Sequence, residues 1–316
     1  MSKVKRVFGT ANFTKIGKGF NTSEQVSEIL HILKENGINE IDTSRRYGGG
    51  RSEELLGEVT EFQTFTVSTK ANPFIDKLTK KNVNIQCDQS LKALKRSSVD
   101  IYYLHRPDPS TPIEETVEAI NDLYQRRRFK RFGLSNFTAE GVERIYNICK
   151  QNNYILPSVY QGNYNAITRK SEQELFPLLT KLGIHFYAYS PLAGGFLVKT
   201  SDQIKHGQDT SRFNTSTVIG QVYTNLYCKQ TFFSALEAFH KRCEKYHIKP
   251  AEVCFSWLLN HSLLKEGDAI ILGVSSIEQL MESIHDSRGI PLNADMIQAL
   301  EDLWKVVQNE APSYYI

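Results

Sequence analysis

The chain has 316 residues, 40% of them hydrophobic, with 38 basic and 35 acidic side chains and a formal net charge of +3. That length suits one α/β barrel with a sizeable core, and charge this balanced excludes a general nucleic-acid partner. Five scattered cysteines without a Cys-x-x-Cys pair suit a reducing, cytoplasmic compartment better than a disulfide framework. The start, "MSKVKRVFGT", lacks the apolar segment of a signal peptide, and no apolar run approaches the roughly 20 residues of a membrane span.

In chain order, a first strand is predicted at "RVFGTAN" from Arg6. The helix "SEQVSEILHILKENG" follows, with Val26, Ile29, Leu30 and Leu33 on one face and Gly37 ending it. The strand "NEIDTS" from Asn39 leads through Tyr47, Gly48, Gly49 and Gly50 into "RSEELLG", which reads as a helix. Strands come next at "FTVSTKAN" from Phe65 and "VDIYYLHR" from Val99. The helix "TPIEETVEAINDLYQ" takes Thr111 as its N-cap and Pro112 as its first residue. It runs into the basic stretch "RRRFKR", Arg126 to Arg131, read as a solvated helix end. Further strands are "FKRFGLSNF" from Phe129, "SVYQGNYN" from Ser158, "IHFYAYSPL" from Ile184 and "AIILGVSS" from Ala269. Before the last of these, the stretch from Ala193 to Asp268 holds an extra helix, "FFSALEAFHKRCEKYH", and a polar loop, "KTSDQIKHGQDTSRFNTST". "KPAEVCFSWLLNHS" and "NADMIQALEDLWKVVQ" also read as helices.

Strand then helix, repeated eight times, predicts a (β/α)8 TIM barrel in a single domain over 1–316. An open doubly wound sheet is the alternative, but its glycine fingerprint is missing from "GTANFTKIGKGF". Cys243 and His247 are spaced to share a helix face, yet two ligands are too few for a metal site, and no metal is expected.

Barrel active sites sit at the C-terminal ends of strands. Asp42 ends the second predicted strand, Lys70 the third and His105 the fourth, with Tyr47 in the loop after the second. Along "FTVSTK", Thr66, Ser68 and Lys70 share one face, so small residues beneath Lys70 leave room for its stem. A lysine there needs a partner, and Asp42 on the adjacent strand supplies one. Its ammonium is expected to lower the pKa of the nearby phenol from about 10, so that Tyr47 gives up a proton near neutral pH. A neutral His105 would orient a carbonyl oxygen. The chain offers no group to attack the carbonyl carbon; a hydride from a cofactor would.

The segments "IDTSRRYGGGRSEELLG", "VSTKANP", "YYLHRPDPSTPIEETVEA", "FGLSNF", "ILPSVYQGNYNA", "FYAYSPLAGGFL" and "DAIILGVSSIEQL" resemble the aldo-keto reductase superfamily. Within it the chain is most similar to the aflatoxin-aldehyde and succinic-semialdehyde reductase branch, from about Arg6 to beyond Leu303. The resemblance implies a barrel that binds NADPH and reduces aldehydes, and possibly ketones, to alcohols. It implies Tyr47 as proton donor, Lys70 and Asp42 as its tuning pair, and His105 as the carbonyl-orienting group. Asp42 also faces the cofactor. Ser135, Asn136 and Gln161 would hold the nicotinamide carboxamide, and Tyr189 would stack on its ring. Ser190 to Lys199, including Pro191, Leu192, Gly194 and Gly195, matches the pyrophosphate loop, over which Arg212 closes. Ser275 and Gln279 would meet an anionic adenosine phosphate at the last helix start. Tyr47, His105 and Tyr223 would contact a small carbonyl substrate, in a monomer or homodimer without nucleic-acid or membrane partners. The alternative reading is an NADPH-binding redox-sensing subunit with vestigial turnover.

The chain departs from these relatives in places. Ser283 stands where they often carry Asn near the adenine. Leu226 and Ile316 stand where acid-reducing relatives carry arginine, while Arg45, Arg46 and Arg106 flank the catalytic positions. A weaker preference for acidic aldehydes is therefore expected. Relatives also carry a glycine near Arg128, so the turn there must be made differently or at a cost of about 1 kcal/mol.

Overall fold

A computed structural model describes residues 4–14, 19–206 and 212–315. Eight parallel strands pair in chain order and close into a barrel: β1 (Lys5–Gly9), β2 (Glu40–Asp42), β3 (Thr66–Ala71), β4 (Val99–Leu104), β5 (Phe129–Ser135), β6 (Pro157–Asn163), β7 (His185–Tyr189) and β8 (Ala269–Leu272). Closure is the pairing of β8 with β1, Lys5 opposite Ala269 through Phe8 opposite Leu272. Parallel neighbours need a crossover, and α1 (Ser23–Glu35), α2 (Arg51–Glu58), α3 (Lys80–Ala93), α4 (Ile113–Gln125), α5 (Ala139–Gln151) and α6 (Leu175–Leu182) each supply one. The connection from β7 to β8 carries α7 (Ser201–Lys205), α8 (Val218–Tyr227), α9 (Gln230–Lys245) and α10 (Pro250–Asn260). After β8 come α11 (Ile277–Asp286) and α12 (Ala294–Val307).

Strand alternation divides the apolar residues between two cores. Val7, Ile101, Tyr103, Val159, Tyr187, Ala269 and Ile271 fill the barrel itself. A larger set, including Val26, Ile29, Leu30 and Leu33 of α1, packs between sheet and helices. In β3 the parity is as expected: Val67 joins the outer core, and the Thr69 hydroxyl donates outward to Glu53 of α2 at 2.6 Å. Ser68 and Lys70 turn inward to Asp42. Gly133 of β5 is required here, because a Cβ would enter the ring of Tyr103 on β4.

Three local expectations change. Thr111 does not cap α4: Pro112 holds the cap position, and the Thr111 hydroxyl donates to Asp108 at 2.7 Å. The polar loop after β7 is partly helical, because Thr200 and Gln203 form a capping box that starts α7. Cys243 and His247 do not share a helix face, since α9 ends at Lys245 and His247 takes φ 53°.

The basic stretch after α4 is also explained. Arg127 itself adopts the left-handed conformation, φ 57°, that a glycine would otherwise provide. The turn is closed by Arg127 N–H on the Tyr124 carbonyl at 2.8 Å and Arg128 N–H on the Leu123 carbonyl at 3.0 Å. Lys130 pairs with Asp100 at 2.8 Å, while Arg128 and Arg131 lie 3.7 Å and 3.9 Å from Asp88 and Glu40.

Candidate active site

The register places Asp42 opposite Ser68 and Lys70 opposite Tyr103, so the acid and the lysine emerge side by side at the same end of the barrel. Lys70 is fully buried and its Nζ donates to both Asp42 oxygens at 2.7 Å and to the Thr43 carbonyl at 2.7 Å. Ser68 Oγ and Gln161 Nε2 donate to Asp42 Oδ1 at 2.8 Å and 2.9 Å. A buried ion pair survives when its remaining hydrogen-bonding positions are filled, and here they are. Burial lowers the pKa of Lys70, against the opposing pull of Asp42.

Tyr47 opens the short 3-10 turn Tyr47–Gly50. Gly48, Gly49 and Gly50 all take positive φ, 58°, 64° and 101°, so the loop folds back tightly over the barrel mouth. A side chain at Gly48 would strike Thr14 of the loop after β1. Arg45 anchors the turn by donating to the Gly50 carbonyl at 3.4 Å and to Glu53 at 3.3 Å. The Tyr47 ring stands edge-on to His105, centroids 6.1 Å apart and planes at 84°, and the Lys70 ammonium lies 5.5 Å from its centroid. The four residues expected to converge do so.

One electrostatic expectation is overturned. The Tyr47 phenol is held above its ordinary pKa, not below it. Burial is the largest cause and the charge of Asp42 the next; Arg212 and Arg46 oppose them. Asp42 and Thr43 engage the Lys70 ammonium, and its pull on the phenol does not outweigh burial and the charge of Asp42. His105 behaves as expected: burial, then Lys70, Arg46 and Arg106, hold it well below 6.5, and its ring is neutral.

The residues expected around a nicotinamide meet on the adjacent side. Asn136 Nδ2 donates to the His105 carbonyl and to Ser135 Oγ, both at 3.0 Å. Tyr189 OH donates to Asn136 Oδ1 at 2.8 Å. Asn136 has φ 62°, which turns its amide back over the mouth.

Beyond β7, Ser190, Ala193, Gly194 and Gly195 all have positive φ, 53°, 52°, 69° and 97°. The Ala193 and Gly195 N–H groups close tight turns on the Ser190 and Leu192 carbonyls, at 2.8 Å and 2.9 Å, and the missing side chains of Gly194 and Gly195 would let a pyrophosphate approach the backbone. Pro191 is buried there and Leu192 half-buried. The Lys199 stem passes 3.8 Å from the Cβ position of Gly195. Arg212 bridges across this loop, donating to Asn12 Oδ1 at 3.1 Å and to the Tyr223 hydroxyl at 3.2 Å. Tyr223 also bonds Ser190 Oγ at 2.8 Å and occupies the space a Gly194 side chain would need, so it sits over this loop. Ser275 N–H and Oγ both donate to Gln279 Oε1, at 3.1 Å and 3.0 Å, at the start of α11, whose N-cap is Ser276. That exposed helix start fits an anionic phosphate. The residues present therefore fit an extended dinucleotide.

Two site residues, Ser44 and Asn72, have no sequence signal of the usual kind. Ser44 Oγ and Asn72 Nδ2 lie 3.2 Å and 2.8 Å from His105 Nδ1. Arg46 and Arg106 each place a guanidinium 4.4 Å from the centroid of exposed Phe74. Leu226 packs against the outer core, and Ile316 lies outside the described residues.

The aldo/keto reductase family profile matches residues 7–305. "Oxidoreductase sirO" of Leptosphaeria maculans is 40% identical over 98% of this chain and 96% of its own length. "Aflatoxin B1 aldehyde reductase member 2" of Rattus norvegicus is 37% identical over 95% of this chain and 85% of its own. "Aldo-keto reductase family 7 member A3" of Homo sapiens is 40% identical over 91% of each.

Proposed function

Because the chain belongs to the aldo/keto reductase family, and so is an oxidoreductase that works with a nicotinamide dinucleotide, we propose that it reduces aldehydes to alcohols with NADPH. The observation that carries this reading is the edge-on pair of Tyr47 and His105 above the buried Asp42–Lys70 pair. A bound reduced nicotinamide supplies hydride to the carbonyl carbon. Tyr47 holds the proton for the carbonyl oxygen.

A phenol with a raised pKa stays protonated through the physiological range, which suits a proton donor. As negative charge gathers on the carbonyl oxygen, that oxygen becomes the stronger base and takes the proton. Neutral His105 donates a hydrogen bond to the same oxygen. The ammonium of Lys70, 5.5 Å from the Tyr47 ring, then stabilises the phenolate. Asp42 keeps that ammonium in place. Ser135, Asn136 and Gln161 would hold the nicotinamide carboxamide, Tyr189 would flank its ring, and Arg212 with Tyr223 would close over the pyrophosphate. The start of α11 favours a cofactor bearing an extra phosphate, hence NADPH.

Among the described residues no helix is long and apolar enough to cross a membrane. The five cysteines are unpaired, in keeping with a cytoplasmic setting. An aldehyde panel assayed with NADPH and NADH in parallel tests the reading. Steady turnover that is faster with NADPH is expected. NADPH binding without steady consumption across the panel would favour a redox sensor instead.

A further inference from the structure

We propose that Asn72, assisted by Ser44, is a positioning residue that fixes the hydrogen of His105 on Nε2, where it is available to the substrate's carbonyl oxygen. The proposal rests on the reductase reading for its consequence, but on hydrogen-bond geometry for its substance.

One backbone group beside Asn72 has an unambiguous role. The Phe74 N–H can only donate, and it reaches Asn72 Oδ1 at 2.8 Å. That orients the amide, with Oδ1 toward Phe74 and Nδ2 toward His105. Nδ2 lies 2.8 Å from His105 Nδ1 and has only hydrogens to offer, so Nδ1 accepts. Ser44 Oγ already accepts the Arg46 N–H at 3.3 Å, which leaves its hydrogen to turn toward the same Nδ1 at 3.2 Å. A neutral imidazole carries one hydrogen. With Nδ1 accepting from two donors, that hydrogen is on Nε2.

The backbone that carries this amide is itself held in place. Gln86 of α3, buried, accepts the Asn72 backbone N–H at 2.8 Å and donates to the Asn72 carbonyl at 3.3 Å. Asn72 follows Lys70 by two residues, so one strand end delivers both the ammonium that engages Asp42 and the amide that engages His105. The opposite tautomer would aim the Nε2 lone pair at a carbonyl oxygen gathering negative charge, a repulsive arrangement. A nearby charge reinforces the neutral state, because Lys70, Arg46 and Arg106 all disfavour an imidazolium.

The direct test is two-bond proton–nitrogen correlation on the intact protein carrying nitrogen-15 histidine, with the His105 signals identified by their loss in His105→Asn. The Nε2-protonated pattern is expected. An Nδ1-protonated or doubly protonated ring at neutral pH would overturn the proposal, whether or not any other variant folds. Asn72→Asp keeps the shape but presents an oxygen to Nδ1 and invites a hydrogen there. It is expected to move the His105 signals to a form protonated at Nδ1, to bring a histidine titration into the neutral range of the kcat/KM profile, and to lower kcat/KM about 10- to 100-fold. NADPH affinity should be unchanged. Asn72→Ala leaves Ser44 in place and should lose less activity without a new titration. Equal losses in the two variants, with unchanged His105 signals, would reduce Asn72 to a structural role. Failure of the reductase reading looks different: no aldehyde turnover in the parent protein, with the Nε2-protonated pattern intact.

Discussion

Replacing Lys70 by methionine keeps the stem and removes the charge from a fully buried position. The structure sets the size of the effect. Asp42 loses two bonds of 2.7 Å and keeps, among the described residues, the neutral donors Ser68 and Gln161, at 2.8 Å and 2.9 Å. Breaking a buried pair from one side costs about 3–5 kcal/mol, because a charge is left uncompensated. At a urea slope of about 3 kcal/mol per molar, that is a midpoint shift of about 1–1.7 M. Removing both charges, in Lys70→Met with Asp42→Asn, takes away the uncompensated carboxylate. The double variant should therefore be more stable than Lys70→Met alone, even though it carries one more substitution. Urea unfolding of the wild type, both single variants and the double variant measures this. A Lys70→Met cost below about 1 kcal/mol, the scale of an exposed pair, or simple additivity in the double variant would refute the account of the buried pair.

Three further outcomes are expected. His105 is held neutral below its unfolded value of about 6.5, so the unfolded chain takes up the proton first as pH falls. Its contribution to stability is present above that pH and declines below it, by up to about 1.4 kcal/mol per pH unit; the stability gap between the wild type and His105→Asn should shrink accordingly between pH 7 and pH 5. Arg127→Gly relieves a left-handed arginine at an exposed turn and should stabilise the protein by about 1 kcal/mol in thermal or urea unfolding; a loss of stability would contradict the turn described. For substrates, Leu226 is apolar and packs against the core, and Arg46 is an exposed rim charge, a kind of ion-pairing group worth about 1 kcal/mol or less. An acidic aldehyde and its methyl ester should then have kcat/KM values within about tenfold of each other. A hundredfold preference for the acid, about 2.7 kcal/mol, would refute this and point to Arg46 and Arg106 as a carboxylate clamp.

The barrel and the positions of the central residues were legible in the sequence because both follow from strand periodicity. Once Lys70 is assigned to the inward face of β3 and Asp42 to the end of β2, parallel register brings them together. Features set by loop conformation were not legible. Ser44 and Asn72 reach His105 only because an Asn72–Phe74 turn orients the amide, and no spacing rule announces that. Arg127 gives no sign of a left-handed turn, since glycine is the residue that usually marks one. Thr111 looks like a cap, but Asp108 competes successfully for its hydroxyl. The sign of the Tyr47 shift was misread for a different reason: it depends on burial and on where the Lys70 charge is directed, neither of which composition reveals.

The central claim is that Tyr47 delivers the proton. Tyr47→Phe removes the hydroxyl and keeps the ring that stands edge-on to His105. Single-turnover reduction of an aldehyde by the NADPH-loaded variant is the decisive measurement. The rate should fall about 10²- to 10⁴-fold, with NADPH binding and the unfolding midpoint unchanged. A variant that reduces the aldehyde at close to the wild-type rate would contradict the account.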